Sequence, residues 1–386
     1  MSSQRGEAQE GFFVRELELR EVALPLVRPF RTSFGEERGK RAILVRAILS
    51  GDSGEVEGWG ECVSSPDPLY SEEWLEGSWL ILSKYLCPNL LAAEPFPDPF
   101  EVEHRLNAVR GHPMAKAAVV AAVLDAWLRS RGESLASFVG GVRDRVPCGV
   151  SVGIAPTIDG LLQEVRGYLD RGYQRIKLKI EPSRDLSVVR AVRDALPETP
   201  LSVDANAAYD LSDVSLFEAL DELDLLMIEQ PLGHDDLLDH ARLQQRIRTP
   251  ICLDESIRSE HDAELAIQLG ACRIINIKPG RVGGVLEAKR VHDAASKSDV
   301  PVWIGGMLET GIGRALNLAL AALPGVRFPG DTSASDRYFH EDLTEPFVLA
   351  PDGTMAVPTG PGIGVDPRPE RLEACTERME SMRGEG

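Results

Sequence analysis

The chain opens with a stretch, residues 12–63, in which apolar and polar side chains alternate with the two-residue period of β-strands. Its parts are VRELELREVALPL, RAILVRAIL and, after the turn sequence GDSGE, VEGWGECV. Neighbouring strands joined by turns favour an antiparallel sheet. Residues 27–41 between the first two strands form a long connection rich in Gly and Arg, for which a lid over a binding site and a disordered loop are the two interpretations.

The spacing of apolar residues then becomes helical, which predicts helices over 71–88, 100–109 and 113–131. In the last of these, Pro113 suits the first helical position, and the following Val, Leu and Trp residues supply a broad apolar face. Strands followed by helices predict an α+β domain over residues 1–142.

Short apolar runs alternate with helix-like stretches from Pro147 onward. The predicted strands are CGVSVGI, RIKLKI, LSVDA, LLMIEQ, PICLDE, RIINIK, VPVWIGG and VRFPGD. Strands and helices in this alternation predict an α/β fold, a (β/α)7β TIM-like barrel over residues 143–341. The segment 342–386 loses the period, so we expect it to return to the first domain and to end as a short helix or a frayed tail.

Ionisable residues close the apolar runs of the predicted barrel at intervals of 24 or 25 residues. They are Lys179, Asp204, Glu229, Asp254 and Lys278. Residues at the ends of successive parallel strands converge at one mouth of a barrel, where such enzymes place their chemistry. The sequence therefore predicts three carboxylates between two lysines around one pocket.

The three carboxylates supply only oxygen ligands, with no Cys or His at matched positions. This donor set favours a hard divalent cation, Mg²⁺ rather than Zn²⁺, with Mn²⁺ as an alternative. A single Asp or Glu after a strand is also common as a cap or turn residue. Three at one period favour a shared metal site formed by Asp204, Glu229 and Asp254.

Two lysines lie two residues apart on one predicted strand, so Lys177 and Lys179 share its inner face. Crowding and burial lower the pKa of one or both amines, and a lysine poised near neutrality can act as a general base. Lys278 is expected on the opposite side of the pocket. It can serve there as a second base or as an electrostatic partner, and a structural salt bridge is the alternative.

Other residues around this pocket are weaker candidates. Asn206 and Glu255 lie next to the predicted ligands and are expected to orient them. For substrate binding the candidates are side chains and glycine backbone N–H groups near the predicted pocket and in the connection 27–41. They are Ser151, Gly305, Gly306, Met307, Phe30 and Phe34.

The composition of the chain excludes some classes of binding partner. A formal net charge of −19 without a compensating Lys/Arg stripe argues against nucleic acid and anionic membranes. No run of about 18 apolar residues is present, which argues against a membrane span. The polar start and six scattered cysteines without a C-x-x-C pair favour a cytoplasmic protein with reduced thiols.

The motifs KLK, SVDAN, IEQP, CLDES and NIKPGRVGG occur in this order, and with them the chain resembles the enolase superfamily, specifically its muconate-lactonizing-enzyme-like group. The resemblance implies that Asp204, Glu229 and Asp254 bind Mg²⁺. It also implies that Lys179 is the general base of the K-x-K motif and Lys278 the opposing lysine. The mandelate-racemase type would carry a His after the seventh strand, where this chain has WIGGMLE.

Within that group the chain resembles the o-succinylbenzoate synthase and N-succinylamino acid racemase branch, through GVSVGI with Ser151, Arg281 after Lys278, and GGMLETGIGRALN. The resemblance implies dehydration of 2-succinyl-6-hydroxy-2,4-cyclohexadiene-1-carboxylate in menaquinone biosynthesis. Racemisation of N-succinylamino or other N-acylamino acids is the alternative, alone or at the same site. It also implies a homo-oligomer and a small-molecule carboxylate as substrate.

Two further interpretations are disfavoured. A dipeptide epimerase of this group is expected to carry D-x-D near the eighth strand, and this chain has Asp331-Thr332-Ser333 there. A noncatalytic, metal-dependent carboxylate-binding protein belongs to a different class of function. It is disfavoured because every catalytic position of the resembled family is filled.

Overall fold

The computed structural model describes residues 11–33, 35–51, 54–91 and 94–384. The β-strands in these ranges are β1 (Phe13–Thr32), β2 (Gly35–Gly51), β3 (Gly54–Cys62), β4 (Arg145–Pro147), β5 (Gly149–Val152), β6 (Arg175–Lys179), β7 (Leu201–Asp204), β8 (Ile228–Glu229), β9 (Ile251–Leu253), β10 (Ile274–Ile277), β11 (Val302–Ile304), β12 (Thr354–Ala356) and β13 (Thr376–Arg383). The α-helices are α1 (Leu75–Ile81), α2 (Cys87–Leu90), α3 (Pro99–Leu106), α4 (Pro113–Ser130), α5 (Leu135–Val139), α6 (Ile158–Asp170), α7 (Asp185–Ala195), α8 (Val214–Leu220), α9 (Leu237–Gln244), α10 (Glu260–Leu269), α11 (Pro279–Val282), α12 (Val285–Lys297), α13 (Gly311–Ala321), α14 (Ser335–Tyr338) and α15 (Pro369–Cys375). One π-helical turn, Leu82–Leu86, joins α1 to α2, and 3₁₀ turns lie at Leu211–Asp213 and Asp221–Leu223.

An antiparallel sheet with the strand order β13-β1-β2-β3 forms a cap, as the alternation at the start of the chain predicts. The prediction of a long loop over 27–41 is wrong, because most of these residues continue β1 and β2. The pairing is interrupted between Pro25 and Phe30 and resumes from Phe30 opposite Glu37 to Thr32 opposite Gly35. A bulged hairpin therefore projects from the cap sheet.

Helix α4 packs directly on the cap sheet. A Cβ atom added to Gly60 of β3 would lie 2.0 Å from the Ala118 carbonyl oxygen, so only glycine allows this close approach. Pro113 occupies the first turn of α4, as predicted. The Glu73 carboxylate accepts the next two backbone N–H groups, from Met114 at 2.9 Å and Ala115 at 3.2 Å. Glu73 thus caps a helix that carries no other side-chain N-cap.

The predicted barrel is confirmed as a curled parallel sheet with the order β5-β6-β7-β8-β9-β10-β11. Residues 326–331, the predicted eighth strand, are irregular yet hydrogen-bond to both ends of this sheet. Arg327 N donates to Val302 O at 3.0 Å, and Asp331 N donates to Ile304 O at 3.1 Å. Gly149 N donates to Gly330 O at 2.7 Å. The segment therefore closes the barrel without regular strand geometry.

The end of the described chain adds the edge strand β13 to the cap sheet by pairing with β1. The prediction of a helix or frayed tail there is only partly right, because α15 is followed by a strand. The alternation of half-buried and exposed residues in TERMESMR is typical of an edge strand with one covered face.

None of the helices in the residue ranges described above combines the length and the apolar character that a membrane span requires.

Candidate active site

The carboxyl ends of the barrel strands bring the predicted ionisable residues to one mouth. Lys179, Asp204 and Glu229 end β6, β7 and β8, and they lie side by side in the strand register. Asp254 follows β9 and Lys278 follows β10. The three carboxylates have no exposed surface, and Lys278 is buried. The β/α repeat read from the sequence therefore places these five residues around one buried point.

Lys177 connects the carboxylates inside the barrel. Its Nζ atom lies 3.0 Å from Asp204 Oδ2, 2.9 Å from Glu229 Oε2 and 2.6 Å from Asp331 Oδ2. Burial disfavours its charged form, but these three carboxylates outweigh burial and raise the pKa of Lys177. The charged form of Lys177 is therefore favoured.

Lys179 has a different environment from its neighbour on the same strand. Its Nζ atom donates to Asp204 Oδ2 at 2.6 Å and to Asn206 Oδ1 at 2.7 Å. Burial lowers the pKa of Lys179, the Asp204 charge opposes this shift, and the nearby Lys177 ammonium adds to it. Of the two crowded lysines, Lys179 is the one suited to give up its proton.

Lys278 lies across the mouth against Asp254. Its Nζ atom donates to Asp254 Oδ2 at 2.7 Å and to the Tyr70 hydroxyl at 3.1 Å. Burial disfavours the ammonium form, but Tyr70, Glu255 and Glu229 outweigh burial and raise the pKa of Lys278. Arg281 also binds Asp254 through its guanidinium group and donates to the Asn276 carbonyl oxygen at 2.7 Å. Two cations thus balance one buried carboxylate.

The donor chemistry of this cluster fits a hard divalent cation. Asp204, Glu229 and Asp254 offer only carboxylate oxygens, and Glu229 Oε2 makes no hydrogen bond within the described part of the chain, although the Lys177 ammonium lies 2.9 Å away. Ammonium groups lie between the carboxylates, so among the described residues no three Asp, Glu, His or Cys side chains converge on a metal position as they stand. Fully buried carboxylates require positive charge, which the ammonium groups supply here and which a bound Mg²⁺ ion would supply through these oxygens.

Asn206 and Glu255 lie beside the carboxylates, as expected. Asn206 Nδ2 donates to Glu255 Oε1 at 2.9 Å, and Asn206 N donates to Asp204 Oδ1 at 3.0 Å. Asn206 adopts a left-handed backbone with φ 45°, which Asn tolerates better than most residues. The hydrogen bonds of Asn206 therefore join Lys179, Asp204 and Glu255 into one network.

A cavity above the lysines is lined by most of the predicted substrate-binding residues. Lining it are Phe30, Ser151, Gly306 and Met307, together with Lys177, Lys179, Lys278, Tyr70 and Asp331. Ser151 is buried, and its Oγ atom has no hydrogen-bond partner among the described residues. Phe34 lies outside the described residues. The cap hairpin therefore contributes to the barrel cavity through Phe30.

Gly305 has a different role from the predicted one. Its N–H group donates to Ile277 O at 2.9 Å and so is not available to a substrate. A Cβ atom at Gly305 would lie 2.3 Å from Asn276 Oδ1. Asn276 Nδ2 in turn donates to Glu229 Oε1 at 2.8 Å. Gly305 therefore makes room for the amide that holds Glu229.

Asn276, Asp331 and Tyr70 contact the carboxylates and lysines of this site and were not among the predicted residues. Asn276 lies two residues before Lys278 on the same strand face, so strand alternation could have identified it. Asp331 ends the predicted eighth strand and pairs with Arg175 and Lys177 at 2.7 and 2.6 Å, so the barrel period could have included it. Tyr70 comes from the cap, where no periodic signal points to the barrel mouth.

Comparison with known proteins gives matches over nearly the whole chain. The family description "Mandelate racemase / muconate lactonizing enzyme, N-terminal domain" matches residues 14–140, and "Enolase C-terminal domain-like" matches residues 160–371. An N-succinylamino acid racemase of Amycolatopsis sp is 55% identical over 361 residues, which cover 93% of this chain and 96% of that protein.

Two further relatives agree with these matches. An o-succinylbenzoate synthase of Geobacillus kaustophilus is 49% identical over 359 residues, 93% of this chain and 95% of that protein. The crystal structure of an enolase superfamily member from Listeria innocua superposes with a TM-score of 0.92 at 41% identity. It covers 97% of this chain and 100% of that one.

Proposed function

Because the chain belongs to the enolase superfamily, in its mandelate racemase and muconate lactonizing enzyme group, we propose that it is an o-succinylbenzoate synthase. It dehydrates 2-succinyl-6-hydroxy-2,4-cyclohexadiene-1-carboxylate to the aromatic o-succinylbenzoate, a step toward menaquinone. Relatives named o-succinylbenzoate synthase from Geobacillus kaustophilus, Geobacillus stearothermophilus and Bacillus subtilis, 43–49% identical, support this choice.

One observation supports the chemistry above all others. Lys179 at the end of β6 and Lys278 after β10 lie on either side of three fully buried carboxylates at the barrel mouth. A substrate carboxylate held at this cluster would have its α-carbon between two amines. Such an arrangement is suited to removing a proton from that carbon and to returning one to it.

The residues that would hold Mg²⁺ are Asp204, Glu229 and Asp254. When bound, the ion would neutralise the negative charge that develops on the substrate carboxylate as its α-proton leaves. Asn276, donating to Glu229, and Asn206, donating to Asp204, keep two of these carboxylates oriented.

Lys179 takes the α-proton in this proposal. Its pKa is lowered chiefly by burial, so the neutral amine is accessible, and Asp204 and Asn206 fix its Nζ atom at 2.6 and 2.7 Å. The Lys179 ammonium group formed in this step then gives its proton to the hydroxyl group on the neighbouring carbon, which leaves as water, and the ring becomes aromatic. Lys177 keeps its charge beside Asp204, Glu229 and Asp331 and limits their mutual repulsion.

Tyr70 and the neighbouring carboxylates raise the pKa of Lys278 and so favour its ammonium form. In dehydration its positive charge stabilises the deprotonated substrate from the opposite face. Such preorganised charges in a buried site commonly contribute about 10²–10³ in rate.

A second activity, N-succinylamino acid racemisation, is favoured by the same pair of lysines and by the 55% identity to the Amycolatopsis racemase. Racemisation requires a proton to leave one face of the α-carbon and another to arrive on the opposite face. Lys179 and Lys278 are placed for these two transfers. The same residues therefore support both reactions.

The experiment uses the purified protein with Mg²⁺ in two assays. In the first, the protein is incubated with the cyclohexadiene carboxylate and the absorbance of this substrate is followed. In the second, it is incubated with N-succinyl-L-amino acids and optical rotation is followed. We expect aromatic product in the first assay, racemisation in the second, and loss of both with EDTA. Absence of both reactions in a folded, Mg²⁺-supplemented protein would refute the proposal. The predictions of a cytoplasmic location and a homo-oligomer stay predictions.

A further inference from the structure

A buried lysine of the cap reaches the wall of the barrel cavity. Lys40 lies on β2 and is only 3% exposed. Its Nζ atom donates to Met307 O at 3.0 Å and to Val63 O at 3.3 Å. Met307 lies in the loop after β11 and lines the cavity above the lysines. A side chain of the cap sheet therefore fixes a backbone carbonyl in a loop of the barrel.

The loop that Lys40 contacts has a strained conformation. Leu308, directly after Met307, has φ 56°, in the left-handed region that costs a branched residue about 1–2 kcal/mol. Gly306, directly before Met307, leaves little room for a side chain, because a Cβ atom there would lie 3.0 Å from Asp331 O. Strained loops persist when their surroundings hold them. Met307, the residue between Gly306 and Leu308, accepts the hydrogen bond from Lys40.

A second side chain of the cap holds the other end of the same loop. Glu61 on β3 is buried and accepts hydrogen bonds from Thr310 Oγ1 at 2.7 Å and from Gly313 N at 3.0 Å, where α13 begins. Burial raises the pKa of the Glu61 carboxyl, and the positive charge of Lys40 opposes that shift. Two oppositely charged cap residues thus hold the segment 307–310 at both ends.

We propose that Lys40 is a positioning residue that fixes the Met307 carbonyl and thereby shapes the cavity wall that receives the substrate. Lys40 is absent from the lining of the cavity, so it acts through the loop and not on the substrate. Its loss should widen the range of loop conformations and weaken substrate binding. The ionisable residues that carry out the chemistry keep their own contacts, so turnover at saturation should change less. The kinetic part of this inference rests on the proposed function.

The first test is hydrogen–deuterium exchange of peptides that cover 305–310. Lys40→Met keeps the length of the side chain and removes its charge and donors, and Lys40→Arg restores both. Lys116→Met is the matched control, because Lys116 is a cap lysine whose ammonium also donates to a backbone carbonyl, that of Val109. We expect exchange at least about tenfold faster in 305–310 for Lys40→Met, near wild-type exchange for Lys40→Arg, and no change there for Lys116→Met.

The second test separates positioning from stability. In the folded fraction, KM for an N-succinylamino acid should rise about tenfold in Lys40→Met while kcat stays within about threefold, and Lys40→Arg should recover most of KM. Unchanged exchange in 305–310, or a lower Tm with unchanged KM, would overturn the proposal. If Lys40→Met does not fold, Lys40→Gln must show the faster exchange, and wild-type exchange there would equally overturn it. An inactive wild type would refute the proposed function alone, since exchange is measured without substrate.

Discussion

Tyr70 of the cap and Lys278 of the barrel are hydrogen-bonded, with Lys278 Nζ donating to the Tyr70 hydroxyl at 3.1 Å. The same hydroxyl donates to Asp254 Oδ1 at 3.5 Å. Burial raises the pKa of Tyr70, so its hydroxyl keeps the proton that this second bond uses. The cap therefore supplies part of the environment of a lysine proposed to act in catalysis.

Replacing Tyr70 by Phe removes this hydroxyl and keeps the ring that lies against the lysine, 4.8 Å from ring centroid to Nζ. A hydrogen bond to a charged group contributes about 1.5–3 kcal/mol, so kcat should fall about 10- to 100-fold. Steady-state kinetics of both reactions and thermal unfolding check this expectation. An unchanged kcat would show that the hydroxyl does not support Lys278.

Gly305→Ala should disturb the metal site from a position that contacts no substrate. The added methyl group would lie 2.3 Å from Asn276 Oδ1, so Asn276 must move away from Glu229. We expect Mg²⁺ affinity and kcat/KM to fall at least about tenfold. Titration calorimetry with Mg²⁺ measures the affinity.

Gly167→Ala is the matched control for this substitution. Gly167 lies in α6, and nothing lies within 4 Å of a Cβ added there. Activity should be unchanged and stability equal or about 0.5–1 kcal/mol higher. Full activity in Gly305→Ala would contradict the role assigned to Asn276.

Each of Asp204→Asn, Glu229→Gln and Asp254→Asn should abolish turnover and weaken Mg²⁺ binding. These substitutions remove a charge from an oxygen-only ligand set and preserve side-chain size. Asp194→Asn, at an exposed position on α7, is the control and should behave as wild type. Wild-type turnover that survives EDTA treatment would contradict the metal dependence.

Glu73 should make the stability of the cap depend on pH. Burial raises the pKa of its carboxyl to about 7 from an ordinary value of 4.5, so the folded state binds the proton more tightly than the unfolded state. The free energy of unfolding should therefore fall as pH rises between these two values. At 1.36 kcal/mol for each pH unit the loss is about 3 kcal/mol.

The measurement is urea unfolding of the wild type and of Glu73→Gln at pH 5 and pH 8. Burial also raises the pKa of Asp125, to about 6, so this carboxyl titrates with the same sign, and the difference between the two proteins isolates Glu73. The wild type should lose about 2.5 kcal/mol more than the variant, because part of the titration lies below pH 5. Equal losses would show that Glu73 is ionised across this range.

The sequence was most informative where a structural period coincides with chemistry. Each β/α unit of the repeat places the end of one strand at the barrel mouth. The spacing of Lys179, Asp204 and Glu229 therefore predicted both the barrel and the residues at its mouth. The pattern of a sheet followed by helices likewise predicted the cap. These features follow from local periodicity alone.

The remaining features depend on contacts between distant parts of the chain. Tyr70 and Lys40 reach the barrel from the cap, and no spacing in the sequence signals such contacts. The pairing of β1 with β2 is interrupted between Pro25 and Phe30, and the residues beyond are rich in Gly and Arg, so the sequence predicted a loop where a hairpin lies. The edge strand Thr376–Arg383 is polar on its exposed face, so it resembled a tail until its partner β1 was known.

The central claim is that Lys179 and Lys278 act on opposite faces of the substrate α-carbon. The most direct test is exchange of the α-proton with solvent D₂O, measured by NMR on each enantiomer of an N-succinylamino acid. Lys179→Ala should retain exchange on one enantiomer only, and Lys278→Ala should retain exchange on the other only. Equal loss on both enantiomers in both variants would contradict the two-base arrangement.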